Sequence, residues 1–288
     1  MSVPRIGVVL PTRGPDPVPD AVVAVARTAE LLDLHAVAAC ERLLVPAPGP
    51  HGAGDADGGP GPDGCAFDPI EILTWAAAHT GRIRVATGVV AALFQSPLVL
   101  ARRLAALDRL SGGRLDVGVG QGWLPQEFCA AGVEPGRRGE GFAEHLAAMR
   151  ACWGPDPVEH HGPYYRIPPS SVGPKPAGGP LALLVGAVAR PAVERAARIG
   201  DGFVAAVRDW ERTRKEIHWY RTAGGRGRIV VQVPLTGLGG DPARAFAERA
   251  AEAVGRAAAL DADEVHFALP GRDAETHVRA LEAFAARG

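Results

Sequence analysis

Apolar positions along this chain follow two alternating periods. Short apolar runs of strand type give way to longer stretches whose apolar residues recur at helical spacing. Residues 5–10 (RIGVVL) predict a first strand, and 19–33 place Val22, Val25, Ala26, Ala29 and Leu32 on one helical face. The alternation continues with strands predicted at 36–40, 82–89, 115–119, 181–185, 202–205, 228–233 and 264–269. Helices are predicted at 69–79, 97–110, 140–153, 191–199, 209–220, 242–260 and 274–286. Asp68-Pro69 and Ser96-Pro97 each put a capping side chain before a proline whose fixed φ suits the first helical turn. Gly112-Gly113 stops the helix before the fourth strand.

Two stretches break the pattern. Residues 46–66 are almost all Pro, Gly, Ala and Asp, and predict a long loop of the kind that closes over a site. A proline-rich excursion at 154–180 predicts a second loop. Eight strands, each followed by a helix, in about 36 residues per unit, predict a single (β/α)8 barrel over 1–288. A doubly wound sheet is the alternative, because strand order is not written in the sequence. A barrel would gather function at the C-terminal strand ends, among them Glu41-Arg42, Thr87-Gly88-Val89, 120–123 and 186–190.

Composition narrows the function. Lys+Arg is 31 against Asp+Glu 32, a net charge of −1 without the basic excess of a nucleic-acid binder. The longest apolar stretches are too short to span a bilayer, and residues 6–10 end at Pro11 without a leader pattern. The expectation is a cytoplasmic protein with no membrane or nucleic-acid partner. Cys40, Cys65, Cys129 and Cys152 match no zinc or redox spacing. His160-His161 lacks a nearby carboxylate or thiol at ligand spacing, so no metal is expected.

Three strand ends carry candidate chemistry. Glu41-Arg42 is either an acid/base and ligand contact at the mouth or a rim ion pair. Gly118-Val119-Gly120-Gln121-Gly122-Trp123 lacks the sixth small residue and immediate helix of a dinucleotide fingerprint. It allows either close approach of backbone to a flat ligand or a plain tight turn. Gly186-Ala187-Val188-Ala189-Arg190-Pro191 leads into a helix start, whose free N–H groups suit phosphate, with Arg190 as an added contact. Ordinary strand-to-helix packing with a solvated Arg190 is the other reading. Arg138 and Glu144 are expected to form a structural ion pair. Trp123, Trp153, Tyr164 and Tyr165 could stack on a ring system, but core or loop packing is the expectation for each.

Three segments together resemble the bacterial luciferase-like monooxygenase superfamily, and within it the F420-dependent oxidoreductases. They are 67–89 (FDPIEILTWAAAHTGRIRVATGV), 96–128 (SPLVLARRLAALDRLSGGRLDVGVGQGWLPQEF) and 180–203 (PLALLVGAVARPAVERAARIGDGF). Residues 262–269 fit as well. The resemblance implies a (β/α)8 barrel holding coenzyme F420 or FMN at its C-terminal mouth, and a homodimer. It implies a non-prolyl cis peptide at Gly88–Val89 beneath the ring, with Thr87 beside it. Gly120, Gly122 and Trp123 would line ring and tail, and Gly186, Ala187, Val188, Ala189 and Arg190 would receive the phosphate.

The chain also departs from the pattern. Where relatives carry Asp-His after the second strand it has Glu41-Arg42, and Arg is a poor acid but a stable cation. Where relatives carry Gly-Gly-x-Ser it has Gly186-Ala187-Val188-Ala189. The expected activity is F420-dependent hydride exchange with a small organic substrate, Glu41 and Arg42 lying nearest the reacting centre. FMN-dependent monooxygenation is the first alternative, and a non-catalytic barrel serving as a binding or scaffold subunit is the second.

Overall fold

The computed structural model describes residues 3–12, 18–46, 67–236, 238–271 and 273–287. Eight strands close into a parallel barrel: β1 (Arg5–Val9), β2 (Ala36–Ala39), β3 (Arg84–Ala91), β4 (Leu115–Gly120), β7 (Leu183–Gly186), β8 (Gly202–Ala206), β9 (Arg228–Pro234) and β10 (Glu264–Ala268). Neighbours follow chain order round the ring and β10 returns to β1, which excludes the doubly wound alternative. Strands of a closed parallel barrel are covered on both faces, so they read as near-continuous Val, Ala and Leu runs. Ala36, Val37, Ala38 and Ala39 of β2 are all buried.

The outer ring comprises α1 (Pro19–Leu31), α2 (Pro69–Ala78), α3 (Pro97–Leu110), α6 (Arg190–Ile199), α7 (Trp210–Thr222), α8 (Pro242–Ala258) and α9 (Ala274–Ala285). Their starts follow the capping chemistry expected from the sequence. Asp68 accepts from the Ile70 N–H at 3.0 Å and Ser96 from the Val99 N–H at 3.2 Å.

Between β4 and β7 the chain leaves the ring. It forms a six-residue helix α4 (Pro125–Ala130), then α5 (Glu140–Trp153). The 154–180 excursion is not loop throughout: β5 (Val158–His161) and β6 (Arg166–Ser170) pair there as an antiparallel hairpin. Neither α4 nor the hairpin is expected from periodicity. His160 and His161 therefore lie in a strand, and among the described residues no group of three His, Cys, Asp or Glu side chains could hold a metal. Of the 46–66 loop, residues 47–66 lie outside the described residues.

The barrel interior is stratified. At the N-terminal end, Arg84 and Arg228 bind Asp116, while Arg5 and Arg228 bind Glu264 at 2.7 and 2.9 Å. Toward the C-terminal end, Val89 packs on a small cluster of Leu184, Val204 and Val230. No helix among the described residues is long and apolar enough to cross a membrane.

Candidate functional site at the barrel mouth

The mouth is organised by a break in the β3–β4 ladder. Register shifts between Thr87 and Val90, and the Gly88–Val89 peptide within the shift is cis, as the resemblance implied. Thr87 brackets the break from below: its hydroxyl donates to the Gly118 carbonyl and accepts the Gly118 N–H, both at 2.8 Å. The Thr87 side chain is thus spent on the fold. The Gly88 carbonyl accepts from Gln232 Nε2 at 2.8 Å and from Cys40 Sγ at 2.7 Å. Gln232 and Cys40 arrive from β9 and the end of β2, and no local motif marks either of them.

Val89 forms the floor. A Cβ at Gly120 or at Gly186 would stand 3.1 Å from the Val89 methyls, so a side chain at either strand end would crowd Val89 by a few tenths of an ångström. Gly122 has φ +76°, and a Cβ there would strike Phe94 at 2.7 Å and Phe128 at 3.2 Å. Trp123 beyond it is 43% exposed. A flat, glycine-edged floor with an exposed indole at its rim fits a planar ring system.

Glu41 stands beside this floor. Its backbone N–H donates to the Val89 carbonyl at 3.2 Å, and its Oε2 accepts from the Ala91 N–H at 2.5 Å. Burial pushes its carboxyl up to about 7, with Asp68 and Glu127 adding to the rise and the Ala91 N–H and Arg103 opposing it. Arg42 is held differently. Its guanidinium is 3.3 Å from Glu127 Oε1, 5.0 Å from the Trp123 ring centre, and only 10% exposed. Glu127 also accepts the Leu43 N–H at 2.9 Å. The two mouth residues therefore form no ion pair with each other among the described residues. Glu127, from α4, is a site residue that sequence reasoning missed.

The expected phosphate side lies at the start of α6. Gly186, Ala187 and Val188 are half-buried, and the Ala189 cap of α6 provides no side-chain oxygen. Arg190 turns away: its Nε donates to Glu194 at 2.7 Å, its guanidinium lies 5.9 Å from the Trp219 ring centre, and its side chain is 65% exposed. It lines a groove of about 360 Å³ between α6 and α7 with Arg198 and His218. The expected Arg138–Glu144 pair is also absent among the described residues. Glu144 accepts the Tyr164 and Tyr165 N–H groups, whereas Arg138 lies over Phe128. Trp153 is buried and bonded to the Ala101 carbonyl at 2.9 Å, which takes it out of any ring-stacking role.

The fold is thus a (β/α)8 barrel whose C-terminal mouth carries a glycine-edged floor with the Glu41 carboxyl beside it. The luciferase-like monooxygenase family pattern matches residues 4–287, and the chain belongs to that family. An uncharacterised protein of Mycobacterium tuberculosis is 34% identical over 224 residues, 77% of this chain and 76% of that protein. An FMNH2-dependent dimethylsulfone monooxygenase of Pseudomonas fluorescens is 32% identical over 129 residues, 44% of this chain and 35% of that enzyme. Among solved structures, the monooxygenase RslO1 from Streptomyces bottropensis superposes with TM-score 0.75 at 25% identity, covering 98% of both chains. An F420-dependent secondary alcohol dehydrogenase with an F420–acetone adduct superposes at 0.77 with 15% identity, covering 98% of this chain and 99% of that one, a likeness of fold. Family membership makes the chain one of the flavin- or F420-dependent oxidoreductases and monooxygenases.

Proposed function

We propose that this protein is an oxidoreductase that binds coenzyme F420 at the barrel mouth and exchanges a hydride with a small organic substrate. The observation that carries the reading is Glu41, a carboxyl raised to about 7 beside the Val89 floor. A bound deazaflavin supplies the carbon that gives or takes the hydride. Val89, Gly88, Gly120, Gly122 and Trp123 would support the ring, and Gly186, Ala187, Val188 and Ala189 would face the tail.

The protein's own contribution is proton handling and orientation. A carboxyl half-ionised near neutral pH delivers a proton to a substrate oxygen that gains negative charge, or removes one in the reverse direction. The Ala91 N–H fixes which Glu41 oxygen is engaged and leaves Oε1 for the substrate. Arg42, clamped by Glu127 and Trp123, is a fixed cation rather than an acid. Exposed Trp75, Val99 and Leu110 on α2 and α3 supply apolar surface for the homodimer that goes with this reading.

FMN-dependent monooxygenation is the second reading, supported by the Pseudomonas relative and by RslO1. Fluorescence titration of the purified protein with F420 and, separately, FMN decides between them. Micromolar saturation by F420 alone is the expected result. Saturation by FMN alone moves the assignment to monooxygenation. Binding of neither overturns both readings and leaves a non-catalytic barrel.

A further inference from the structure

A groove of about 580 Å³ opens between α3 and the β5–β6 hairpin, and it shares no lining residue with the Val89 floor. Its volume falls within the roughly 300–1,000 Å³ typical of small-molecule sites. The sequence of β6 explains why the space is left open. Pro168 and Pro169 cannot donate to a ladder, so the hairpin ends as a two-stranded ribbon and no further strand covers it.

The floor of the groove is apolar. Pro97, Ile167 and Val172 are buried there, and Leu98 is half-buried beside them. The hydroxyls around it are spent inside the fold. Tyr165 Oη meets His145 Nδ1 at 2.8 Å, Ser170 donates to the Pro168 carbonyl at 2.7 Å, and Ser96 accepts the Val99 N–H at 3.2 Å.

The two guanidinium groups are not spent in this way. Arg166 is exposed and makes no hydrogen bond or ion pair among the described residues. Arg102 uses its Nε, which donates to the Gly173 carbonyl at 2.8 Å, and forms no ion pair among the described residues. No Asp or Glu lines the groove. Asp156, which accepts the Val172 N–H at 3.2 Å, is already paired with Lys175 at 2.9 Å. Arg5, Arg84, Arg103 and Arg228 all have carboxylate partners, so the groove concentrates positive charge that the fold leaves unmatched.

We propose that this groove is a second ligand site, for an organic acid with a compact apolar body and one carboxylate. Burial of the apolar body against Ile167, Val172 and Leu98 supplies the affinity. The planar forks of Arg102 and Arg166 match a carboxylate in charge and shape, and select it over a neutral molecule of the same size. The site stands apart from the cofactor reading above, because neither its residues nor its ligand belong to the mouth.

The test titrates the full chain calorimetrically with octanoate and with 1-octanol, an apolar body of the same length without the charge. No cofactor is present, so the result does not depend on which cofactor the mouth takes. Octanoate should saturate at about a millimolar or below, and octanol should bind about tenfold more weakly. Arg166→Gln and Arg102→Gln should each weaken octanoate about fivefold and leave octanol unchanged. Leu98→Trp, which fills the groove without altering charge, should abolish binding of both. Arg190→Gln removes the same charge from the flank between α6 and α7 and should change nothing. If Arg102→Gln fails to fold, judged by circular dichroism, the exposed Arg166 and the Leu98→Trp variant carry the test. Equal affinity for octanoate and octanol overturns the proposal, as does wild-type affinity in Arg166→Gln and Leu98→Trp, which would place the ligand elsewhere. An equal loss in Arg190→Gln would show attraction to positive charge in general and overturns it too. Silence toward octanoate, with Leu98→Trp altering the oligomeric state, would give the groove to a second copy of the chain instead.

Discussion

At the residue scale the mouth is built by assigning different jobs to adjacent side chains. Glu41 and Arg42 are consecutive, yet one meets the Ala91 N–H and the other the Glu127 carboxylate. If Glu41 moves the proton, Glu41→Gln should lower kcat about a hundredfold, within the usual range for removing a general acid or base. Glutamine keeps an oxygen for the Ala91 N–H, so folding should be preserved. The pH profile gives the sign. In the reducing direction the protonated carboxyl is the active form, so wild-type turnover should fall as pH rises through about 7. The variant should lack that limb. A variant with near wild-type kcat and the same limb would remove Glu41 from the chemistry. The position of this pair at a strand end is readable from the chain, because the strand pattern stops at residue 40. The separate partners are not, since each comes from a distant segment. Arg190 is an instructive opposite case. Glu194 stands four residues on, a spacing that brings side chains together on a helix, so its partner is a local one.

At the element scale, legibility follows regularity. The ring strands and helices repeat one pattern, and their starts carry caps that the sequence displays. α4 is six residues long, too short for a periodic signal, although Pro125 opens it. β6 reads RIPPS, and two prolines in five residues argue against a strand unless it pairs on one edge only, as it does here with β5. These elements outside the regular repeat bring Glu127 to Arg42 and the Tyr164-Tyr165 pair to Arg137. One element start also tunes the site. Asp68 caps α2, meets Arg103 at 3.1 Å, and its charge helps raise the Glu41 carboxyl. Asp68→Asn keeps a good cap while removing the charge. Its melting temperature should stay within a few degrees of wild type, whereas the Glu41 limb should move to lower pH, because ionised Glu41 no longer faces that neighbour. Asp68→Ala should retain the shift and add a loss of about 1 kcal/mol in urea unfolding. An unmoved limb in both variants would show that Asp68 serves the helix alone.

For the whole molecule, the barrel separates chemistry from stability along its axis. The groups of the proposed site collect at the C-terminal ends of the strands, while the N-terminal end is plugged by ion pairs. Glu264 is the hub of that plug: Arg5 and Arg228 contact Oε1, His35 lies 3.5 Å from it, and His266 is 3.1 Å from Oε2. Burial works against its ionisation, but the contacts from His266, His35 and Arg228 outweigh it and hold the carboxyl far below its ordinary value of 4.5. A carboxylate depressed on folding contributes stability above its unfolded pKa and loses it as pH falls toward the folded one. The contribution is therefore fully present at pH 7 and shrinks below about 4.5. Glu264→Gln leaves partly buried arginines without their counter-charge, a change that costs about 3 kcal/mol when a buried pair is broken from one side. Urea unfolding at pH 7 should show that deficit, and the gap between variant and wild type should narrow at pH 3.5, where Glu264 of the unfolded chain takes up a proton while the folded carboxylate stays ionised. Cofactor affinity of the folded variant should be unchanged, because the ion pairs of the plug lie at the opposite end of the barrel from Val89. A constant gap at both pH values would show that Glu264 acts through packing rather than charge, and a coupled loss of cofactor affinity would show that the two ends of the barrel are not independent.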